Sequence, residues 1–378
     1  MSNLDKDPGP LDGVKVLDFS MFLAGPYGGR LLSDHGAEVI KIEPPGGETI
    51  RRAHPVIGGK SRYFAQLNAG KKCIVLDLKT EDGKETVRRL ALKADVVLEN
   101  FRPGVMERLG LGYEALSEIN PRLIYCAISG YGPTGPNSTR PAFAPIVHAH
   151  AGYDMAVFEY ARVVDQPLSN RSTAADILAS AHSFGAISAA LFGREKTGRG
   201  DRIDVTLEGV MHNLLYVEIQ NAQLEDPVEP LVYTPVRAKD GFLMVVPVSD
   251  ANLRAMAKAA SRNWDKDPRY NTVGERWKHW DDLLAELEEW SLGHTAAEAE
   301  KLLLEAGCPA TRFRTVNEVV EDESLRETGG LIEIDEGTGP YLIVSTPTRF
   351  KNREVGPGRS VDPIDSSREY VLREYRGN

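Results

Sequence analysis

Asp176 is the residue whose position most suggests chemistry, because it directly precedes a stretch with helical periodicity. The apolar side chains on one face of that helix are Ile177, Ala181, Phe184, Ile187 and Leu191. An aspartate in this place is predicted to be the N-cap of the helix. The free N–H groups and the dipole of the helix terminus favour its ionised form. Since ionised carboxylates can act as covalent nucleophiles, Asp176 is a candidate nucleophile as well as a candidate cap.

Basic residues stand at the ends of two predicted strands. Lys71 and Lys72 precede one strand, and Arg102 and Arg108 follow another. Ammonium and guanidinium groups at strand ends can hold a polyphosphate. Solvated surface charge is the alternative interpretation of the same residues.

A glycine-rich loop is predicted after the first strand, at Gly25-Pro26-Tyr27-Gly28-Gly29. It resembles a dinucleotide-binding turn in outline, but the G-x-G-x-x-G fingerprint is absent from the sequence. The proline also removes an N–H group that a phosphate would need. NAD or FAD binding is therefore disfavoured, while another nucleotide at the following helix N-terminus stays open.

The histidines and cysteines have no metal-ligand spacing. His148 and His150 form the closest histidine pair, but residues two apart do not share a helix face. We interpret them as structural or substrate-facing. Cys73, Cys126 and Cys308 form no C-x-x-C pair, and the first two lie in apolar runs typical of buried thiols. No metal site is predicted, and no G-x-S-x-G elbow supports a serine nucleophile.

An alternating α/β fold is predicted to position these residues. Strand-like segments at 14–19, 38–43, 73–76, 95–99 and 123–129 alternate with helical patterns, which indicates a mostly parallel sheet covered by helices. Residues 137–172 show no clear periodicity. A strand at 202–207 and a helix over 208–222 follow. Residues 240–315 then resemble a smaller α+β unit, whose core we expect to contain all four tryptophans.

The composition excludes some classes of protein. The chain has 378 residues, with 45 Lys and Arg against 55 Asp and Glu, so its net charge is −10. That charge argues against a nucleic-acid partner. No apolar run reaches the ~18 residues of a membrane-spanning helix, and residues 1–7 lack the features of a signal peptide. We expect a cytoplasmic protein without a membrane partner.

Several ordered blocks of the sequence resemble the class III CoA-transferase family, which includes formyl-CoA transferase, carnitine CoA-transferase and α-methylacyl-CoA racemase. The main blocks are GPLDGVKVLDFS (9–20), LLSDHGAEVIKIEPPGG (31–47), VVLENFRPGVMERLGLG (96–112), GYGPTGP (130–136) and TGRG (197–200). Together with shorter matches they extend over nearly the whole chain.

The resemblance implies a fold and an assembly. It implies an α/β architecture with a Rossmann-like, CoA-binding large domain of residues 1–223, completed by residues 320–378. A small α+β domain of residues 224–319 is inserted between them. Two subunits would interlock as a homodimer.

The resemblance also implies a reaction, the transfer of CoA from an acyl-CoA to a free carboxylic acid. By motif position Asp176 would be the nucleophile, passing through aspartyl anhydride and aspartyl-CoA thioester intermediates. CoA would be a substrate and not a permanently bound cofactor. The residues that the motifs imply for CoA binding are Ala24, Asn68, Lys71, Asn100, Phe101 and Arg108.

The sequence departs from the family pattern at several positions. Pro44 and Ala144 occupy places that are often basic and acidic, respectively, in relatives. The catalytic histidine and glutamate of the racemase branch fall near Phe143 and Arg237, so racemization lacks its acid and base. Residues 222–240 contain no G-G-G run that could cover an intermediate. An acyl-CoA racemase or isomerase, and a non-catalytic CoA-binding subunit of a heteromeric transferase, remain as alternatives. The sequence does not specify the donor or the acceptor acid.

Overall fold

A computed structural model describes residues 7–161, 165–228 and 231–375 of the chain. The chain divides into two compact units. The first comprises the residues up to Leu224 together with those from Ser324 onward, and the second runs from Glu225 to Glu323. The assignment of the first unit to CoA binding stays a prediction.

The strands and helices of the described residues follow in chain order. The strands are β1 (Lys15–Asp18), β2 (Glu38–Glu43), β3 (Val56–Ile57), β4 (Lys60–Ser61), β5 (Lys72–Val75), β6 (Val96–Glu99), β7 (Ile124–Ser129), β8 (Arg202–Thr206), β9 (Val236–Arg237), β10 (Phe242–Val245), β11 (Ala310–Arg312), β12 (Leu331–Ile334) and β13 (Tyr341–Val344). The helices are α1 (Ala24–Asp34), α2 (Arg62–Asn68), α3 (Glu81–Ala91), α4 (Val105–Arg108), α5 (Tyr113–Ile119), α6 (Ala144–His150), α7 (Tyr153–Ala161), α8 (Ala174–Thr197), α9 (Leu207–Leu214), α10 (Tyr216–Asn221), α11 (Asp250–Ala259), α12 (Val273–Lys278), α13 (Trp280–Ser291), α14 (Ala296–Ala306), α15 (Val316–Glu321), α16 (Glu323–Glu327) and α17 (Arg368–Glu374).

A six-stranded parallel sheet with the order β5-β2-β1-β6-β7-β8 forms the centre of the first unit. Its central strands are almost continuously apolar, as expected for a sheet covered on both faces. Alternate side chains enter two separate cores: Val16 lies in one and its neighbour Leu17 in the other. The predicted parallel α/β sheet is confirmed.

The first helix of the unit differs from the prediction. α1 begins at Ala24, so Gly25 and Pro26 belong to its first turn and do not form a loop. Proline is tolerated there because first-turn N–H groups have no intrahelical acceptor. Gly28 serves close packing: a Cβ at this position would lie 2.8 Å from Ser183 Oγ on α8. One of the glycines that suggested a turn, Gly28, thus allows α1 and α8 to approach each other.

Other local predictions also need correction. Helices α6 and α7 lie within residues 137–172, where the sequence shows no clear periodicity and no element was predicted. The helix predicted over 208–222 is divided into α9 and α10 at Leu215. The burial of Cys73 and Cys126 is confirmed.

The second unit contains the antiparallel sheet β11-β10-β9 and helices α11 to α15. Trp264 and Trp280 are buried in its core, and Trp290 packs against it. Trp277 is 52% exposed, so the expectation that all four tryptophans build this core is wrong for that residue.

Helix α8 is the one helix of the described segments that is long and apolar enough to cross a membrane. Core helices of globular proteins meet the same criterion of length and composition. α8 packs on α1, and its residues Ala175, Ala179 and Ile187 are fully buried in the core of the first unit. We therefore describe it as a core helix.

Candidate active site

A cavity of about 270 Å³ lies at the carboxyl ends of β1, β6 and β7. Within the sheet, β2 is the neighbour of β1 on one side, whereas β6 and β7 lie on the other side of β1. The cavity is therefore at the topological switch point, where open α/β sheets bind their ligands. The predicted residues Ala24, Asn100, Phe101 and Asp176 all line it.

Asp176 is the third residue of α8, and the N-cap of the helix is Thr173. The predicted N-cap role of Asp176 is therefore wrong, because the helix begins two residues earlier. The carboxylate of Asp176 lines the cavity and forms no side-chain hydrogen bond or ion pair with any residue that the structure describes. Burial without a counter-charge raises its pKa to about 6. At neutral pH the group is thus an ionised carboxylate whose oxygens are free to react.

The loop between β1 and α1 forms one wall of the cavity and is held by two polar side chains. Asn100 accepts the N–H of Met21 at 2.8 Å and donates to the carbonyl oxygen of Met21 at 2.7 Å. Glu48 Oε1 accepts the N–H of Phe22 at 2.6 Å. Phe22 has a φ of +66°, a conformation that is unfavourable for a side chain of this size and needs such support. Asn100 therefore shapes the wall of the cavity.

Lys71 and Asn68 do not line the cavity. The buried Nζ of Lys71 donates to Asp18 Oδ2 at 2.7 Å, to the carbonyl oxygen of Pro26 at 2.7 Å and to Asn68 Oδ1 at 2.9 Å. Asn68 in turn donates to the carbonyl oxygen of Phe64 at 3.1 Å. In this structure the two predicted CoA-binding side chains therefore bind protein groups beneath α1.

Asp18 and Lys71 belong to a buried group of four charges, two positive and two negative. Lys41 Nζ lies 2.6 Å from Glu48 Oε2 and donates to the carbonyl oxygen of Ser20 at 2.8 Å. Burial raises the pKa of Asp18, but the charges of Lys71 and Lys41 outweigh burial and hold that pKa below 3.8. Because Glu48 also holds Phe22, the group links the core of the sheet to the cavity wall.

A second cavity, of about 570 Å³, lies beyond Phe101, whose side chain borders both cavities. It is mostly apolar and is lined by residues at the end of β2 and after β1, β2, β5 and β6, including Phe19, Ile42, Pro44 and Leu76. The site therefore consists of two adjoining cavities along the carboxyl edge of one sheet.

Three basic residues, Lys79, Arg102 and Arg108, follow strands β5 and β6 in the chain. Lys79 lines the larger cavity and Arg102 the smaller one, whereas Arg108 is exposed and lines neither. The guanidinium of Arg108 lies over Gly104, since a Cβ on that glycine would be 3.0 Å from Arg108 Nη1. Among the described residues none of the three cations has an ion-pair partner. Their charge is thus available to an anionic ligand.

Several lining residues escaped the sequence analysis. The rings of Phe22 and Phe143 meet edge to face beside the cavity, with centroids 6.0 Å apart. Arg140 also lines the cavity and donates to His150 Nε2 at 2.8 Å. Burial raises the pKa of Tyr63, and the charge of Asp176 raises it further, so the two groups are within electrostatic range. Phe143 entered the sequence analysis only through its racemase position, and no motif or periodicity marked Phe22, Arg140 or Tyr63.

The metal-ligating residue types and the two racemase positions bear on reactions other than CoA transfer. No group of three or more His, Cys, Asp or Glu side chains that could hold a metal ion occurs within residues 7–161, 165–228 and 231–375. Phe143 supplies an apolar ring to the cavity, and Arg237 of the second unit is paired with Glu288 at 2.7 Å.

The chain is similar to known proteins over nearly its whole length. The family model for CoA-transferase family III matches residues 11–364. A probable fatty acyl-CoA transferase of Mycobacterium tuberculosis is 33% identical over 368 residues, which cover 90% of this chain and 92% of the relative. The formyl-CoA:oxalate CoA-transferase of Escherichia coli O157:H7 is 30% identical over 376 residues, with 90% of each chain covered. The crystal structure of a CaiB/BaiF family protein from Brucella suis superimposes with a TM-score of 0.83 at 30% identity and covers 98% of this chain and 100% of its own. The chain is therefore a member of CoA-transferase family III.

Proposed function

We propose that this protein transfers CoA from an acyl-CoA thioester to a free carboxylic acid, with Asp176 as the covalent nucleophile. The observation that carries the proposal is the carboxylate of Asp176, which is largely buried, without a counter-ion, and lines the cavity at the switch point of the sheet. A carboxylate without hydrogen bonds from the protein keeps its lone pairs for attack. Its raised pKa of about 6 still leaves it ionised at neutral pH.

The first half of the reaction releases the donor acid. An oxygen of Asp176 attacks the thioester carbonyl, the C–S bond breaks, and CoA leaves as a thiolate. The product is a mixed anhydride of Asp176 and the donor acid. The thiolate then attacks the aspartyl carbonyl of this anhydride, which gives an aspartyl-CoA thioester. The donor leaves as a carboxylate that carries one oxygen from Asp176.

The second half repeats these steps with the acceptor. The acceptor carboxylate attacks the aspartyl thioester and expels CoA thiolate, which forms a second anhydride. The thiolate attacks the acceptor carbonyl, yields the new acyl-CoA and regenerates the Asp176 carboxylate. One acceptor oxygen remains on Asp176, so no water, metal or redox step is required for the balance.

The two adjoining cavities suit the two ends of an acyl-CoA. The larger, apolar cavity has the character of an adenine site, and the smaller one contains Asp176 and would receive the thioester. The chain of pantetheine would pass Phe101, which borders both, and the loop that includes Ala24. Lys79, Arg102 and Arg108 have the charge to bind the phosphates. Asn68 and Lys71, which do not line either cavity, would act through the position of α1.

We also propose that the active form is an interlocked homodimer in the cytoplasm. Large apolar side chains on α8 and α10 are exposed in the single chain: Ile177, Phe192, Tyr216, Val217 and Ile219. Exposed apolar surface of this kind is typical of a protein interface. The native mass of the purified chain tests this proposal: an active homodimer would also remove the non-catalytic subunit of a heteromer as an alternative.

An oxygen-transfer experiment tests the function. The protein would be incubated with a panel of acyl-CoA thioesters and ¹⁸O-labelled carboxylic acids, digested, and mapped by mass spectrometry. We expect one ¹⁸O atom to appear in the peptide that contains Asp176, and hydroxylamine to trap a hydroxamate at the same residue. The Asp176→Asn variant is the control and should acquire neither. Label at another residue, or α-deuteration of the acyl group without transfer, would refute the proposal and favour the racemase alternative.

A further inference from the structure

His148 lies against the N-terminal turn of the helix that carries Asp176. Its Nε2 accepts a hydrogen bond from the backbone N–H of Ala175 at 3.1 Å. The side chain belongs to the last turn of α6 and is 1% exposed. Ala175 immediately precedes Asp176, so the imidazole contacts the turn on which the nucleophile is mounted.

We propose that His148 is a positioning residue for Asp176: its unprotonated Nε2 caps the first turn of α8 and thereby fixes the carboxylate in the cavity. The inference rests on the proposed function of Asp176 and adds a residue to it.

The first turn of α8 depends on side chains from outside the helix for this cap. Helix N-termini leave backbone N–H groups without intrahelical acceptors, and the N-cap side chain normally satisfies one of them. Here the N-cap residue Thr173 makes no such bond. Ser172 Oγ accepts the N–H of Ala174 at 3.3 Å, and the bond from Ala175 goes to His148 on another helix. The position of the turn is thus set by α6 as well as by α8 itself.

The hydrogen bond also fixes the protonation state of the imidazole. Because Nε2 is the acceptor, the ring proton must be on Nδ1, and an imidazolium could not accept the bond. Burial lowers the pKa of His148 below 6.5, while the charge of Asp154 on α7 opposes that effect. Tyr153, also on α7, packs 5.4 Å from the ring, measured between centroids.

The other charged groups near His148 lie on α6, α8 and α9. On α6 and α9, His150 Nδ1 lies 2.9 Å from Glu208 Oε1, so these two groups bind each other. On α8 the first-turn charge is Asp176 itself. A proton on His148 would therefore break the cap and place a positive charge beside the helix N-terminus, where the dipole disfavours it.

The test distinguishes the loss of the hydrogen-bond acceptor from a change in the size of the side chain. His148→Gln places an amide oxygen near the position of Nε2 and cannot be protonated in the working range, whereas His148→Leu removes the acceptor. His182→Gln, an exposed histidine of α8, is the control. The readouts are the single-turnover rate of Asp176 acylation between about pH 5 and pH 8, and the dissociation constant of CoA.

We expect His148→Leu to slow acylation on the order of 10- to 100-fold, because a small misplacement of a reacting group has that effect, with CoA affinity changed less than about twofold. His148→Gln should acylate within about threefold of the wild-type rate at pH 8. In the wild type both Asp176 and His148 must be unprotonated, so two protonations should slow acylation on the acid limb of the pH–rate profile. In His148→Gln only the protonation of Asp176 should do so. A purely structural histidine would not change the proton stoichiometry of that limb.

Two results would overturn the inference: a His148→Leu rate equal to that of the wild type, or an acid limb that is identical in the wild type and in His148→Gln. If the leucine variant does not fold, the pH profile of the glutamine variant decides. Failure of the proposed function is a different outcome, since the wild-type protein itself would then carry no acyl group on Asp176.

Discussion

Replacement of Asp176 by asparagine should abolish CoA transfer and stabilise the native protein at neutral pH. The pKa of the carboxyl is about 6 in the folded chain against a usual value of 3.8. A carboxyl whose pKa is raised by folding costs stability once the pH exceeds its unfolded value. The two pKa values differ by about 2 units, and each unit corresponds to about 1.4 kcal/mol, so the ionised carboxylate destabilises the native state by about 3 kcal/mol at high pH.

The sign of the effect determines its pH dependence. Below about pH 4 the carboxyl is protonated in both the folded and the unfolded protein, and no penalty exists. The penalty develops as the pH rises from the unfolded pKa of 3.8 to the folded pKa of about 6, and it is constant above that pH. Asparagine carries no charge and also loses the favourable interaction of a carboxylate with the helix dipole, about 0.3–1 kcal/mol. The net gain of Asp176→Asn should therefore be about 2 kcal/mol at pH 7.5 and about 1 kcal/mol smaller at pH 5.

Urea unfolding of the wild type and Asp176→Asn measures this difference. Both proteins would be compared at one protein concentration and at several pH values, so that association affects them equally. Asp165→Asn, at an exposed aspartate, is the matched control and should change the free energy of unfolding little. An asparagine variant that is no more stable than the wild type at pH 7.5, or a gain that is independent of pH, would contradict the claim that Asp176 is a buried carboxylate without a counter-charge.

Three further predictions concern the surroundings of Asp176. Lys71→Met should lower the free energy of unfolding by about 3–5 kcal/mol, because it leaves Asp18 buried without its closest cation. Urea unfolding checks this, and a loss as small as that of Lys278→Met, which removes an exposed lysine paired with Glu275, would contradict the buried pair. Phe143→Ala should raise, by roughly severalfold, the rate at which the acylated enzyme is hydrolysed in the absence of an acceptor acid, because water gains access to the anhydride. An unchanged rate of hydrolysis would show that the ring does not exclude water. Arg102→Ala should raise KM for acyl-CoA by about tenfold but leave KM for an acyl-pantetheine without phosphates unchanged; equal effects on both substrates would exclude phosphate binding by Arg102.

The parallel sheet could be predicted because its strands are short apolar runs separated by turn residues and helical patterns. β2 was predicted with the bounds that the structure has, Glu38–Glu43. The strand predicted at 73–76 is displaced from β5 by one residue at each end, and the strand predicted at 123–129 begins one residue before β7. Such patterns follow from burial on both faces of the sheet, which the sequence records directly. The resemblance to family III, carried by motifs along the chain, is also confirmed.

The role of Lys71 could not be predicted from its position at a strand end, because a lysine there is usually solvated. The informative residue was Asp18, which follows the buried residues Val16 and Leu17 in the same strand and is itself buried. A carboxylate inside an apolar strand needs a cation, since an isolated buried charge is too costly. The sequence therefore held a signal for a buried ion pair, but only the fold could identify Lys71 as the partner across 53 residues.

The difference of a few residues at the start of α8 has a chemical consequence. An N-cap aspartate accepts N–H bonds from the first turn of its helix, which lowers its pKa and occupies the lone pairs that a nucleophile needs. At the third helical position Asp176 makes no such bonds, and burial raises its pKa instead. The capping task passes to groups outside the helix, Ser172 Oγ and His148 Nε2. Because other residues satisfy the helix terminus, the carboxylate lies at the positive end of the helix dipole and still keeps its oxygens free for the attack on a thioester that we propose.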